Sequence, residues 1–231
     1  MQVTLDKRFS RNFSLLAFYT FSKAIDDESA NNQFTIANPN PFDNRFNRGP
    51  SDYDIRQNFR VTAVIDLPKL QSAKSTLRAL LGGWTLASIL DLRSGLPFTL
   101  ISGRDNSFTG IGLDRADILG NPSLPSDRPK QERLGRYFNT ALVRVNAVGT
   151  FGTAPRNFLR GMGVFNTDAA LQKSFRMRER FELFLRGEFF NLLNHANFGQ
   201  PGSNVSSTSN FGVINAAADP RILQLGVRLR F

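Results

Sequence analysis

Arg221-Ile222-Leu223-Gln224-Leu225-Gly226-Val227-Arg228-Leu229-Arg230-Phe231 closes the chain, and its reading decides the rest. Taken in twos, Leu223, Leu225, Val227, Leu229 and Phe231 fall on one side and Gln224, Gly226, Arg228 and Arg230 on the other, the period of a two-faced β-strand. A closed membrane barrel needs a final strand of this kind, with an apolar lipid face, a polar lumen face and an aromatic at the water interface. An edge or sandwich strand that happens to finish the chain carries the same pattern, so this stretch alone leaves both open.

Composition narrows the choice. The chain has 231 residues, 21% of them charged, and contains no run of apolar residues long enough for a membrane-spanning helix. A moderately polar average does not exclude the membrane, because transmembrane strands give lipid only every second residue. The aromatic usage is lopsided, with 22 Phe against 3 Tyr and 1 Trp, which suits strands better than helices. Cysteine is absent and His195 is the only histidine, which removes disulfides and thiolate metal sites. Neither H-E-x-x-H nor G-x-S-x-G occurs, so nothing supports an enzyme or a cofactor. The net charge of +10 would attract nucleic acid or anionic lipid, but the basic residues are scattered from Lys7 and Arg8 through Arg156 and Arg160 to Arg228 and Arg230. Solvated loops and lumen charges are the plainer reading, and no nucleic-acid partner is expected. Met1 is not followed by a basic and then an apolar segment, so an exported protein with this start is expected to be part of a longer one.

Along the chain, residues 2–9 alternate, a short basic turn covers 8–12, and 13–23 read as a second strand of the same hairpin. Residues 26–55 are rich in Asn, Asp, Pro and Gly without a period and read as a loop. From Asn58 to Leu67 the alternation is clean, setting Phe59, Val61, Ala63, Ile65 and Leu67 against Asn58, Arg60, Thr62 and Asp66, and Pro68 ends it. Residues 84–102 read as one long strand with a bulge at Ser94-Gly95, and 103–161 as a long irregular surface loop. Residues 164–175 alternate again, followed by a short turn at 176–179. Residues 180–194 fit a strand or a helix face; Gly187 and the aromatic excess favour the strand. A further loop, rich in Gly, Ser and Asn, covers 197–219.

Seven strands result, and their connections alternate in length: 8–12, 68–83 and 176–179 are the shorter set, 26–55, 103–161 and 197–219 the longer. Outer-membrane barrels have short periplasmic turns and long extracellular loops, which puts the longer set outside and Phe231 at the periplasmic rim. The first strand then starts outside, and bacterial single-chain barrels have even strand numbers, so the seven are expected to be cut from something longer.

Several stretches also resemble a known family. Ser51-Asp52-Tyr53-Asp54-Ile55-Arg56-Gln57-Asn58-Phe59, Gly83-Trp84 with Arg93-Ser94-Gly95-Leu96-Pro97-Phe98, Phe189-Phe190-Asn191-Leu192-Leu193-Asn194-His195-Ala196-Asn197-Phe198-Gly199, and Asp219-Pro220-Arg221 occur in that order. Together they resemble the C-terminal barrel portion of TonB-dependent outer-membrane receptors, in particular the large-loop type with a carboxypeptidase-regulatory-like N-terminal domain. The resemblance implies an all-β fold in which residues 1–231 form an antiparallel transmembrane β-barrel segment, part of a roughly 22-stranded barrel. It also implies a plug and a TonB box in a preceding part of the protein, neither of which this sequence contains. The location it implies is the bacterial outer membrane.

On this reading Arg60, Asp168, Gln172, Arg186, Glu188 and Arg228 face the lumen and are candidate substrate-binding residues. For each, a structural charge hydrogen-bonded to its neighbour is the plainer alternative. Val227, Leu229 and Phe231 are the candidate assembly signal, which the resemblance implies is read by the barrel-assembly machinery. The expected function is a part of a nutrient receptor, with lipid, the assembly machinery, the TonB system and an unidentified small molecule or oligosaccharide as partners. The alternatives are a standalone barrel that binds a partner through its long loops and, against the scatter of the basic residues, a soluble basic β protein that binds nucleic acid.

Overall fold

The computed structural model describes residues 1–29, 38–72, 74–112, 114–178 and 181–231. Seven strands, β1 (Gln2–Ser10), β2 (Phe13–Phe21), β3 (Gln57–Asp66), β4 (Thr85–Arg93), β5 (Val164–Arg178), β6 (Phe181–Phe190) and β7 (Ile222–Arg230), form one sheet whose spatial order follows chain order. Every neighbouring pair is antiparallel. Such a meander sends successive connections to opposite ends of the sheet. The described residues of 11–12 and 67–84 lie at one end; those of 22–56, 94–163 and 191–221 lie at the other. The longer connections therefore share one end, as their lengths predict. Glu179 and Arg180 of the last short turn, and residues 30–37 of the first long loop, fall outside the described residues. The sheet is open, with β1 and β7 as its edges, so the seven strands do not close into a barrel by themselves.

Local chemistry explains most boundaries. Arg11 and Asn12 both have positive φ, 50° and 69°, the two-residue turn whose twist matches antiparallel strands, so β1 runs on to Ser10 rather than stopping at a broader turn. Phe181–Phe190 is a strand and not a helix, because β5 and β7 supply ladders on both sides of it. The long strand read over 84–102 is corrected: β4 stops at Arg93. There Gln57 and Ser94 exchange bonds, Ser94 N donating to Gln57 O and Gln57 N to Ser94 Oγ. A Cβ on Gly95 would lie 2.0 Å from Gly161 O, so the missing side chain lets a distant loop segment approach, and Pro97–Phe98 pairs with Leu159–Arg160. Two short helices, α1 (Ser75–Leu81) and α2 (Lys130–Gly135), occupy connections that the sequence presents as irregular.

Register sorts the side chains onto two faces, because directly paired residues on antiparallel strands share a face. One row runs Val3, Tyr19, Phe59, Leu92 and Phe165; the adjacent row runs Thr4, Phe18, Arg60, Asp91 and Asn166. The first face continues through Leu5, Val61, Leu90, Ile65, Leu86, Leu171, Leu225, Val227 and Leu229, and is interrupted by Lys7, Ser88, Thr167, Lys173 and Gly187. The opposite face is polar but mixed, since Leu16, Phe18, Val64, Ile89 and Phe184 share it with the charges.

The packed core is not in the sheet. Phe98, Leu100, Ala116, Phe138, Val143, Ala154 and Leu159, all from the second long loop, form the buried cluster, with Val205 and Phe211 of the third loop packed against it. On the edge strands β1 and β7 the first face is left uncovered, with Leu5 at 59%, Leu225 at 76% and Val227 at 72% exposure. Among the described residues no helix is long and apolar enough to cross a membrane, so any crossing is made by strands.

These faces set one expectation. Leu225→Arg should lower membrane insertion by about 2–4 kcal/mol near the midplane, while Gln224→Arg, on the opposite face, should have a much smaller effect. Band shifts of heated against unheated membrane protein measure this, and equal losses at the two positions would remove the face assignment.

Candidate functional site

Where the polar face meets the long loops, several hydrogen-bonding groups converge. Arg60 Nη2 lies 3.4 Å from Asp91 Oδ2, and Arg93 Nε lies 3.9 Å from the same oxygen. Asp168 Oδ1 accepts from Asn166 Nδ2 and from the backbone N–H of Asn191, both at 2.9 Å. Asn191 takes a φ of 49°, which asparagine tolerates better than most residues. Its amide then ties the following loop back, donating to His195 O at 2.9 Å and Asp219 O at 3.2 Å and accepting from His195 N at 2.9 Å. His195 itself stacks edge-on against Phe165, with ring centroids 5.2 Å apart.

These groups surround a cavity of about 560 Å³, lined by Asp91, Arg93, Asn166, Asp168, Asn191 and Asn197 among others. Every strand residue lining it belongs to the polar face. Asp91 Oδ1 is buried beside it without a hydrogen-bond partner among the described residues. A carboxylate oxygen in that position favours a ligand that brings a donor, such as a hydroxyl or an amine.

Of the residues singled out by sequence, Asp168 lines this cavity and Arg60 is ion-paired to another of its lining residues. Gln172, Arg186 and Glu188 form a separate cluster nearer the short turns: Arg186 Nη2 lies 2.7 Å from Glu188 Oε1, and Arg186 Nη1 donates to Gln172 Oε1 at 3.3 Å. Arg228 lies farther still toward that end, in a row with Ser174 and Phe184. Val227 and Leu229 stand on the apolar face of β7, and Phe231 follows the end of the strand, 90% exposed. Asn191, Asn197 and Asp91 are absent from the sequence-derived set; Asn191 and Asn197 lie in the stretch Phe189 to Gly199 that carries part of the family resemblance.

A second polar construction holds the long loops together. Arg156 and Arg160, read from sequence as solvated or lumen charges, are instead cross-braces between the first and second loops. Arg156 is paired with Asp26, donates to Ser29 Oγ at 2.7 Å and lies 3.5 Å from Asp52 Oδ1. Arg160 is paired with Asp54 and donates to Asp54 O at 2.7 Å and Gly95 O at 3.1 Å. Burial pushes both carboxyls upward, but the hydrogen bonds outweigh it and hold Asp26 and Asp54 below the ordinary value of 3.8. Those bonds come from Arg156, Ser29 and Ser51 at Asp26, and from Ala24 N–H, Arg160 and Arg56 at Asp54. Arg115, 2% exposed, donates to Phe46 O at 2.9 Å and Asn47 Oδ1 at 2.5 Å and has no carboxylate partner among the described residues. Desolvation, and then repulsion from Arg156, lowers its pKa to about 10. Gly152, at φ 79°, makes room for this group's backbone, since a Cβ there would lie 1.9 Å from Arg115 O.

The family model described as an outer membrane beta barrel domain matches residues 1–224. No curated protein and no solved structure matches the chain.

Two outcomes test the loop braces. Arg160→Ala takes one charged partner from the buried Asp54 carboxylate, which keeps the Ala24 N–H and Arg56, and should cost the loop assembly about 1.5–3 kcal/mol, the range for hydrogen bonds to charged groups. Faster proteolysis of the second loop, with the strands unaffected, is the readout. Because the folded pKa values of Asp26 and Asp54 are lowered, their contribution is complete above the unfolded value and lost as pH falls through the folded values. Loop amides should therefore lose exchange protection in acid below about pH 4 before the strand amides do.

Proposed function

This chain belongs to the outer membrane beta barrel domain family and to the bacterial outer membrane, and from that premise we propose that it forms part of the wall and the extracellular loops of a TonB-dependent nutrient receptor. The observation that carries the proposal is the polar cavity of about 560 Å³ where the lumen-side face meets the long loops. A receptor needs a ligand site that opens to the outside and whose floor is continuous with the lumen. Asp91, Arg93, Asn166 and Asp168 offer carboxylate acceptors, amide groups and guanidinium donors side by side, a set suited to a hydroxyl-rich small molecule or oligosaccharide. The Gln172, Arg186 and Glu188 cluster then lies farther down the same face, on the path such a substrate would take.

In this reading the loops do the capturing. The cross-braces at Arg156 and Arg160 keep the first and second loops in one arrangement, which lowers the ordering cost of binding. Energy comes from the TonB system through a separate plug-bearing part of the protein. Assembly relies on the barrel-assembly machinery reading Val227, Leu229 and Phe231.

The coding sequence upstream of Met1 tests the proposal most cheaply: further alternating strands, a plug and a TonB box are expected. An initiation site immediately upstream, with this chain inserted in the membrane alone, would favour a standalone barrel that binds a partner through its loops. Deleting Phe231 from the whole protein should lower the assembled amount and leave the substrate affinity of the assembled fraction unchanged. A large loss of affinity would show that the last residue acts at the ligand site instead.

A further inference from the structure

Lys173 is a lysine on the lipid-side face that is nevertheless buried. It stands in a row with Leu185 and Val227, where a cation is costly. Its Nζ donates to the carbonyls of Ala79 and Gly82, at the C-terminal end of α1, and lies over the rings of Phe175 at 4.7 Å and Trp84 at 5.7 Å. Trp84 adds a second fastening, its Nε1–H donating to Leu80 O at 2.8 Å. A cation at a helix C-terminus is favourable, and both groups satisfy carbonyls that the helix leaves without partners. The short-turn connection therefore does not hang free below the sheet; its helix end is fixed against the same face that carries Leu225, Val227 and Leu229.

What α1 lacks is cover. None of its seven residues is buried, and a helix this short has little stability of its own in water. Leu77, Leu80 and Leu81, spaced to lie on one helical face, are 48%, 57% and 59% exposed. Lys69, Lys74 and Arg78 are exposed in and around the same connection. Lys7 repeats the device on the neighbouring hairpin. It also lies on the lipid-side face, with Nζ drawn to Ser10 O and Phe13 O at 3.0 Å each and sitting 3.5 Å over the Phe13 ring. Lys7 and Lys173, the two lysines on this face of the sheet, are thus folded toward backbone carbonyls and aromatic rings.

We propose that α1 is an interfacial helix lying in the phospholipid leaflet at the short-turn end of the sheet. Leu77, Leu80 and Leu81 enter the acyl chains, and Lys74 and Arg78 stand among the headgroup phosphates. The occupant is lipid because the exposed leucines continue a face that already meets lipid, and because a basic flank beside an apolar face is the chemistry of helices that lie on anionic membranes. The helix would steady β3 and β4, the two strands it connects, against movement along the membrane normal.

The proposal rests on the lipid-side assignment of this face, and the test separates the two. These 231 residues contain no cysteine, so single cysteines at Leu80, Gln71 and Ala63 can each carry an environment-sensitive fluorophore in the whole protein, with any cysteine elsewhere in it replaced by serine, held in vesicles of phosphatidylethanolamine and phosphatidylglycerol. Quenching by lipids bearing a nitroxide high on the acyl chain should be about twofold or more greater at Leu80 than at Gln71, as for a helix at the headgroup boundary. If Ala63 is quenched and Leu80 behaves like Gln71, the helix stands in water and the proposal is overturned alone. If Ala63 is not quenched either, the face assignment fails and takes the proposal with it. Shielding of Leu80 that depends on protein concentration rather than on lipid would mean that a second copy covers the helix, which also overturns it.

Discussion

Backbone polar groups in hydrocarbon must be satisfied within the protein, and this constraint governs the sheet. Each strand bonds to its chain neighbours, so register fixes which side chains share a row, and a one-residue slip would exchange the two faces. The row of Val3, Tyr19, Phe59, Leu92 and Phe165 beside the row of Thr4, Phe18, Arg60, Asp91 and Asn166 shows the outcome. The first suits lipid, and the second holds an ion pair and a carboxamide. Phe18 in the second row shows that the more polar face is polar only at some positions, whereas the lysines of the apolar face are each held individually, as at Lys7 and Lys173.

A sheet whose outer side is covered by lipid has no reason to build a core against it. The buried cluster accordingly lies in the loops, around Phe98, Leu100, Phe138 and Leu159. That answers why the second long connection can exceed an ordinary loop: it has its own apolar centre, short strand pairs and arginine braces to the first loop. Loops braced in this way over a polar cavity have the cost of their order met in folding.

The strands were legible because period two is strong where one face is apolar. Residues 58–67 and 221–231 alternate except at Val64 and Ile222, and β3 and β7 fall there. The segment over 84–102 reads in sequence as one long strand, because Pro97-Phe98-Thr99-Leu100 is extended and apolar whether it faces lipid or a loop core; only its pairing with Leu159–Arg160 decides. The braces were not legible, since Arg156 and Arg160 meet carboxylates more than a hundred positions away, and no local pattern records that. Asp168 and Arg60 were found through alternation alone. Asn191 was not, because its importance lies in a left-handed backbone and in hydrogen bonds to residues that follow it. The seven-residue α1 gave no helical period long enough to read.

The central claim is that the two faces of one continuous sheet meet two different solvents. Spin labels placed one at a time along Gln57–Asp66 in the membrane-inserted protein test it most directly, by comparing collision with oxygen, which concentrates in lipid, and with a water-soluble nickel chelate. The expected result is an oscillation of period two, with Phe59, Val61, Ala63 and Ile65 favouring oxygen and Asn58, Arg60, Thr62 and Val64 favouring nickel. Uniform accessibility along the strand, or an oscillation with the opposite phase, would contradict the claim.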